Sequence, residues 1–145
     1  MSDFRHISDD FWASPQISLV DVDEAKQRGF ALIVNNRPEG ETEDQVPGES
    51  IEAAVREAGM DYVAIPVTHA GFSEDQVRSM AAAVEQAEGP ILAYCRSGTR
   101  STLLWSLAQA SLGRDPDDLA TAAANGGYDL GPVRGLLEML ASREK

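Results

Sequence analysis

Runs of apolar residues alternate along this chain with amphipathic segments, and the alternation predicts strands and helices in turn. Residues 31–36 (ALIVNN), 61–67 (DYVAIPV) and 91–94 (ILAY) predict strands. The middle strands are continuously apolar, which is typical of a sheet covered on both faces. Residues 4–13 predict one or two further short strands. This order of elements is typical of the α/β class, so we expect a mainly parallel central sheet flanked by helices.

Two of the predicted helices carry a start signal in the sequence. Ser18 with Asp21, and Ser73 with Gln76, match capping boxes, in which side chains satisfy the free N–H groups at a helix start. The first helix should end at Gly29 and the second near residue 87. Further helices are expected at 51–58, 101–112, 115–125 and 133–142. No repeat or linker interrupts the pattern, so residues 1–145 should form one catalytic domain.

Composition and charge narrow the classes of function. Hydrophobic residues make up 43% of the 145 residues, which suffices for a core without disulfides or metals. The net charge of −12 disfavours binding to nucleic acid and to anionic membrane surfaces. The N-terminus lacks the pattern of a signal peptide, and no apolar run has the length of a membrane span. A single cysteine is typical of a reducing compartment, so we expect a cytoplasmic protein.

The one cysteine, Cys95, follows the predicted strand ILAY and precedes the residues RSGTR and a helix. In open α/β sheets ligands bind beyond the carboxyl ends of the strands, and a helix N-terminus attracts anions through its free N–H groups. A thiolate beside such a terminus and two arginines is favoured as a nucleophile. The alternative is an ordinary buried core thiol. The polar residues directly after Cys95 favour the active-site interpretation, because two arginines and two hydroxyl residues are not expected in an apolar core.

The segment CRSGTRS resembles the active-site loop shared by rhodaneses and cysteine-dependent phosphatases. From about Phe4 to Leu140 the chain is also similar to the bacterial beta-lactamase-hydrolase-like, phosphatase-like domain family. The similarity rests on five segments of this sequence: SPQIS, NNRPEGE, YVAIPV, YCRSGTRS and GYDL. The resemblance implies a tyrosine-phosphatase-like α/β fold, with Cys95 as the nucleophile and Arg100 as the main anion-binding side chain. Further anion contacts are expected from the loop and from one arginine after the second predicted strand, namely Arg96, Ser97, Gly98, Thr99, Ser101 and Arg37.

The loop leaves two chemistries open. Four residues separate Cys95 from Arg100, as in rhodaneses, whereas tyrosine phosphatases generally have five. Phosphatases also usually place His before the cysteine, where this chain has Tyr94, and they need a general acid for the leaving oxygen. The loop THAGFSED offers His69, Glu74 and Asp75 for that purpose, but a carboxylate in the first turn of a helix is already explained by the helix dipole.

These departures favour a sulfurtransferase that passes sulfane sulfur through a Cys95 persulfide, with a phosphatase acting through phosphocysteine as the alternative. A third hypothesis is a non-catalytic module that binds anions or phosphoproteins, or a redox-sensing thiol. The intact cysteine and arginine argue against the non-catalytic module. The expected partner is a small anion: thiosulfate, a persulfide or a phosphoester. The two histidines and the cysteine lack metal-ligand spacing, so we expect neither a metal nor a cofactor. The oligomeric state stays open.

Overall fold

The computed structural model describes residues 2–143, which form five strands in one sheet with helices on both faces. The strand order is β1-β2-β5-β3-β4, where β1 spans Arg5–Ser8, β2 Phe11–Ser14, β3 Leu32–Asn35, β4 Asp61–Ala64 and β5 Ile91–Tyr94. Only β1 runs antiparallel to its neighbour, because a tight turn joins it to β2. The other pairs are parallel, which confirms the expected mainly parallel sheet.

Six α-helices connect and cover the strands. Their bounds are α1 Leu19–Gln27, α2 Gly48–Glu57, α3 Glu74–Gln86, α4 Thr99–Ser111, α5 Pro116–Asn125 and α6 Arg134–Arg143, with a short 3-10 helix at Gly131–Val133. Both capping boxes form as predicted: the backbone N–H of Asp21 donates to Ser18 Oγ, and that of Gln76 donates to Ser73 Oγ, each at 3.2 Å. Local side-chain chemistry therefore sets these two helix starts.

The start of α2 differs from the prediction by three residues. The apolar pattern placed it at Ile51, whereas the helix begins at Gly48. Its N-cap, Pro47, provides no side-chain cap. Instead, the carboxylate of Glu39 accepts a hydrogen bond of 2.9 Å from the backbone N–H of Gly48. A residue nine positions upstream thus caps the helix, which a local sequence pattern does not show.

The sheet separates two apolar cores, and the alternating side chains of β5 contribute to both. Leu92 and Tyr94 face the side covered by α1 and α2, while Ile91 and Ala93 face the side covered by α3 to α6. Most of helix α4 lies inside the second core: every residue from 101 to 110 is buried, and only its two ends are more exposed. Trp105 of this helix stacks on Phe11 of β2, with ring centroids 5.2 Å apart. The strand before Cys95 and the helix after it are therefore both fixed by burial.

Candidate active site

Three chain segments meet at the carboxyl edge of the sheet. Tyr94, the last residue of β5, is in register with Ser14 of β2 and Asn35 of β3. The residues that follow these strands, including Gln16, Arg37 and Cys95, consequently lie at the same edge. The sheet register thus brings together two residues that the sequence predicted for one site, Arg37 and Cys95.

The loop after Cys95 turns its backbone toward the sulfur. Gly98 is the N-cap of α4 and has φ +93°, a left-handed conformation that glycine adopts without strain. The backbone N–H of Gly98 donates to Cys95 Sγ at 3.1 Å, and the thiol is fully buried. The first N–H groups of α4 have no partner within the helix. The loop therefore offers donors both to the sulfur and to an anion beside it.

Arg100 is held on one edge of its guanidinium group. Its Nη1 donates to Glu41 Oε2 and to the Val67 carbonyl, both at 2.7 Å, and its Nη2 donates to Glu41 Oε1 at 2.8 Å. The hydrogen bond to Glu41 raises the pKa of Arg100; burial opposes this shift, and the charge of Cys95 adds to it. These contacts use three of the five N–H bonds of the guanidinium group. Within residues 2–143 the Nε of Arg100 makes no hydrogen bond, so the edge formed by Nε and Nη2 can bind a ligand.

Glu41 lies between two arginines and joins them. Its Oε1 also accepts a hydrogen bond of 2.9 Å from Arg37 Nε. The hydrogen bond from Arg100 lowers the pKa of Glu41 to about 2, against the opposing effect of burial and with further help from Arg37. The carboxylate is therefore charged at neutral pH. No local sequence pattern distinguishes Glu41 among the 24 acidic residues of the chain.

Arg37 lies behind Glu41 and is only 5% exposed. Its Nη1 donates to Gln16 Oε1 at 3.0 Å, and its Nη2 donates to Thr42 Oγ1 at 3.3 Å. All three of its side-chain nitrogens therefore have a protein partner. The structure places Arg37 near the loop and directs its hydrogen bonds to Glu41, Gln16 and Thr42.

The remaining loop residues differ in exposure. Arg96, Ser97 and Thr99 are exposed, and Ser97 Oγ donates to Thr99 Oγ1 at 3.0 Å. Ser101 is fully buried, and its hydroxyl has no hydrogen-bond partner within residues 2–143. The hydroxyl of Tyr94, also without a partner in that range, lies with the core residues on the α1 and α2 side. Tyr94 thus packs in the core.

Tyr128 contacts the loop from the segment after α5. Its hydroxyl donates to the Ser97 carbonyl at 3.0 Å. A Cβ atom added at Gly98 would lie 2.0 Å from the Tyr128 hydroxyl oxygen, so only glycine fits beneath it. The Gly126-Gly127 pair before Tyr128 is typical of a turn, and the local sequence does not indicate this contact with the loop.

The three candidate acids are exposed, and two of them form ion pairs away from the cysteine. Asp75 pairs with Arg78 of the same helix, and Glu74 lies 3.5 Å from Arg143 of α6. His69 lies two residues after Val67, whose carbonyl binds Arg100. Among the three, His69 is the one nearest in sequence to a residue of the site.

Residues 2–143 contain neither a candidate metal-binding cluster nor a candidate membrane-spanning helix. No cluster of three or more His, Cys, Asp or Glu residues in this range is arranged to hold a metal ion. No helix in this range is both long and apolar enough to cross a membrane.

The chain matches known proteins in sequence. Residues 3–112 match the family described as "Beta-lactamase hydrolase-like protein, phosphatase-like domain". A beta-lactamase hydrolase-like protein of Xylella fastidiosa (strain 9a5c) is 34% identical over 116 residues, which cover 79% of this chain and 27% of that protein. The chain spans about a quarter of the length of the curated relatives it matches.

Solved structures give the same result for the fold. The crystal structure of a candidate phosphatase from Neisseria meningitidis is 30% identical, with a TM-score of 0.84 over 97% of this chain and 99% of that chain. TpbA from P. aeruginosa, solved as a cysteine-to-serine variant in complex with phosphotyrosine, is 16% identical, with a TM-score of 0.63 over 96% and 90% of the two chains. The expected tyrosine-phosphatase-like fold is confirmed. The names of these relatives support the phosphatase alternative better than the sulfurtransferase that the loop spacing favoured.

Proposed function

This chain belongs to the family of phosphatase-like domains found in beta-lactamase hydrolase-like proteins, and we propose that it is a cysteine-dependent phosphatase that acts on a small phosphoester. One observation carries the proposal: Cys95 Sγ accepts a backbone N–H at the start of α4, beside an arginine with one free edge. A nucleophile and an oxyanion site in contact with each other are what transfer of an anionic group to sulfur requires.

Arg100 is suited to bind the oxyanion because Glu41 fixes its orientation. Glu41 occupies the Nη1/Nη2 edge, so the Nε/Nη2 edge remains for two parallel hydrogen bonds to a tetrahedral anion. The Arg37–Glu41 contact keeps the carboxylate in place. In this proposal Arg37 acts through Glu41. The backbone N–H groups of Ser97, Thr99 and Ser101 bind the anion, while that of Gly98 donates to the sulfur.

The reaction proceeds in two steps. The Cys95 thiolate attacks phosphorus, the bond from phosphorus to the ester oxygen breaks, and the leaving oxygen takes a proton from an acid. Water then attacks the phosphocysteine and gives a proton back to the same acid, the sulfur–phosphorus bond breaks, and phosphate leaves with the thiolate restored. His69 is the first residue to test as the acid, because Glu74 and Asp75 already form ion pairs.

Sulfur transfer is the second candidate, and the spacing of the loop favours it. Only four residues separate Cys95 from Arg100, which gives a small ring of N–H groups. The thiolate would attack the sulfane sulfur of thiosulfate, the sulfur–sulfur bond would break, and sulfite would leave. A thiol or cyanide would then take the sulfur from the Cys95 persulfide. Sulfite needs no proton to leave, which agrees with the exposed and paired state of the candidate carboxylates.

A rapid-quench experiment separates the two candidates. Wild type and Cys95→Ser are mixed with p-nitrophenyl phosphate or with thiosulfate, quenched, and analysed by peptide mass spectrometry. A phosphoryl adduct on Cys95 from the aryl phosphate supports the phosphatase. One added sulfur atom from thiosulfate, with no phosphoryl adduct, supports sulfur transfer instead. Turnover by the folded Cys95→Ser variant would refute both, because the chain has no second thiol.

A further inference from the structure

One peptide unit connects Tyr128 to the thiol of Cys95. The carbonyl of Ser97 accepts the Tyr128 hydroxyl at 3.0 Å, and the N–H of the same peptide, from Gly98, donates to Cys95 Sγ at 3.1 Å. Because a peptide is planar and trans, its C=O and N–H point in opposite directions. Fixing the carbonyl toward Tyr128 therefore fixes the N–H toward the sulfur.

Gly98 allows this arrangement and leaves little room for another. Its φ of +93° turns the N–H inward, and its missing side chain lets the Tyr128 oxygen lie where a Cβ atom would be, 2.0 Å from that position. The Ser14 carbonyl carbon lies 3.3 Å from the same position on the other side. The loop is thus packed closely between β2 and Tyr128.

Tyr128 is itself held in place and remains a donor. It is only 7% exposed, and the guanidinium carbon of Arg5 lies 5.2 Å from the centre of its ring. Burial raises the pKa of Tyr128, and the charge of Arg5 opposes this shift without reversing it. The phenol consequently keeps its proton at neutral pH and can donate a hydrogen bond to the Ser97 carbonyl.

We propose that Tyr128 is a positioning residue that holds the Ser97–Gly98 peptide with its N–H toward Cys95 Sγ, and thereby favours the reactive thiolate. Without the hydroxyl, no hydrogen bond holds the Ser97 carbonyl away from the site. A partial turn of the peptide then weakens the N–H contact to the sulfur and brings the carbonyl oxygen, which repels both a thiolate and an anion, closer to it. Hydrogen bonds in a chain also polarise one another, so the phenol strengthens the N–H as a donor. The proposal rests on the proposed function only in taking Cys95 as the reacting thiol.

Alkylation of Cys95 tests this role whichever substrate the enzyme uses. The rates with neutral iodoacetamide and with anionic iodoacetate are measured by mass spectrometry at neutral pH for wild type and for Tyr128→Phe. We expect the iodoacetamide rate to fall about fivefold, the size of one lost hydrogen bond. The iodoacetate rate should fall further, so the ratio of the iodoacetate rate to the iodoacetamide rate also decreases. The thermal unfolding temperature is recorded for each variant.

A matched control removes another hydroxyl-to-carbonyl hydrogen bond. Ser106 is buried in α4 and donates to the Leu103 carbonyl at 2.7 Å, away from the loop. Ser106→Ala should lower stability comparably and leave both alkylation rates unchanged. If Tyr128→Phe leaves the rates unchanged, or raises them because Tyr128 merely closes the site, the positioning role is refuted. A wild-type rate no faster than that of glutathione would refute the activated thiol as well.

Discussion

Replacing Glu41 by Gln removes the single negative charge that two arginines share. A pKa lowered from 4.5 to about 2 corresponds to about 3 kcal/mol in favour of the charged carboxylate. The side chains involved are well shielded from solvent: Arg37 is 4% exposed, and Glu41 and Arg100 are 16% exposed. Removing one partner from such a group leaves a buried charge unpaired, which is costly. We therefore expect Glu41→Gln to lower the free energy of unfolding by about 2–3 kcal/mol at neutral pH.

The pH dependence of this loss follows from the direction of the pKa shift. Since the pKa of Glu41 is lower in the folded protein, the stabilisation is complete above about pH 4.5 and disappears as the pH falls toward 2. Wild type and variant should therefore approach each other in stability in acid. Urea unfolding at neutral pH, and at several values between about pH 5 and pH 2.5, measures the difference directly. All other carboxylates are common to both proteins, so their titration largely cancels in the difference.

Glu52→Gln is the matched control, because Glu52 pairs with Arg56 at 3.0 Å on the exposed face of α2. Those side chains are 42% and 56% exposed, and such a pair contributes less than about 1 kcal/mol. If Glu41→Gln is no less stable than Glu52→Gln, the prediction for Glu41 is wrong. It is equally wrong if the loss is the same at pH 3 as at neutral pH, since a lost charge–charge interaction must titrate.

Three further predictions concern the loop. Cys95→Ser should abolish turnover of both aryl phosphate and thiosulfate while circular dichroism shows an intact fold; activity in this variant would exclude Cys95 as the nucleophile. Arg100→Lys should lower kcat/KM about tenfold or more, because Arg100 presents a fixed edge for two parallel hydrogen bonds. Arg96→Lys should lower kcat/KM much less. Steady-state kinetics that show the larger loss for Arg96→Lys would reverse these roles. A glycine inserted after Gly98 should weaken sulfur transfer and strengthen inhibition by vanadate. If calorimetry finds vanadate binding unchanged, the length of the loop does not determine which size of anion it binds.

The parts of the fold that sequence predicted are those with short-range causes. The capping boxes at Ser18 and Ser73 join residues three apart, and both form. Residues 91–94 form a strand buried on both faces, as their continuous apolar character indicates. The six residues from Cys95 to Arg100 likewise indicate an anion-binding loop by their own sequence. In each case the interaction and the sequence pattern lie in the same window.

The unpredicted parts of the site depend on contacts between distant residues. Glu41 is 59 positions from Arg100, and Tyr128 is 31 positions from Ser97. With 24 acidic residues in the chain, no property of Glu41 alone marks it as the one beside the loop. The glycine pair before Tyr128 indicated a turn but not what the tyrosine would contact. Only the order of strands in the sheet determines which of these residues meet.

The burial of residues 101–110 of α4 has a consequence for how the protein moves. A helix surrounded by the core on all sides exchanges its amide hydrogens only when the whole domain opens. The amides of residues 103–110 should therefore be among the slowest to exchange with deuterium. The first N–H groups of α4, which would bind the proposed anion, belong to the same continuous helix as this slow-exchanging segment. Ligand entry must accordingly depend on side chains and on the segments carrying Glu41 and Val67, while the donors at the start of α4 keep their positions.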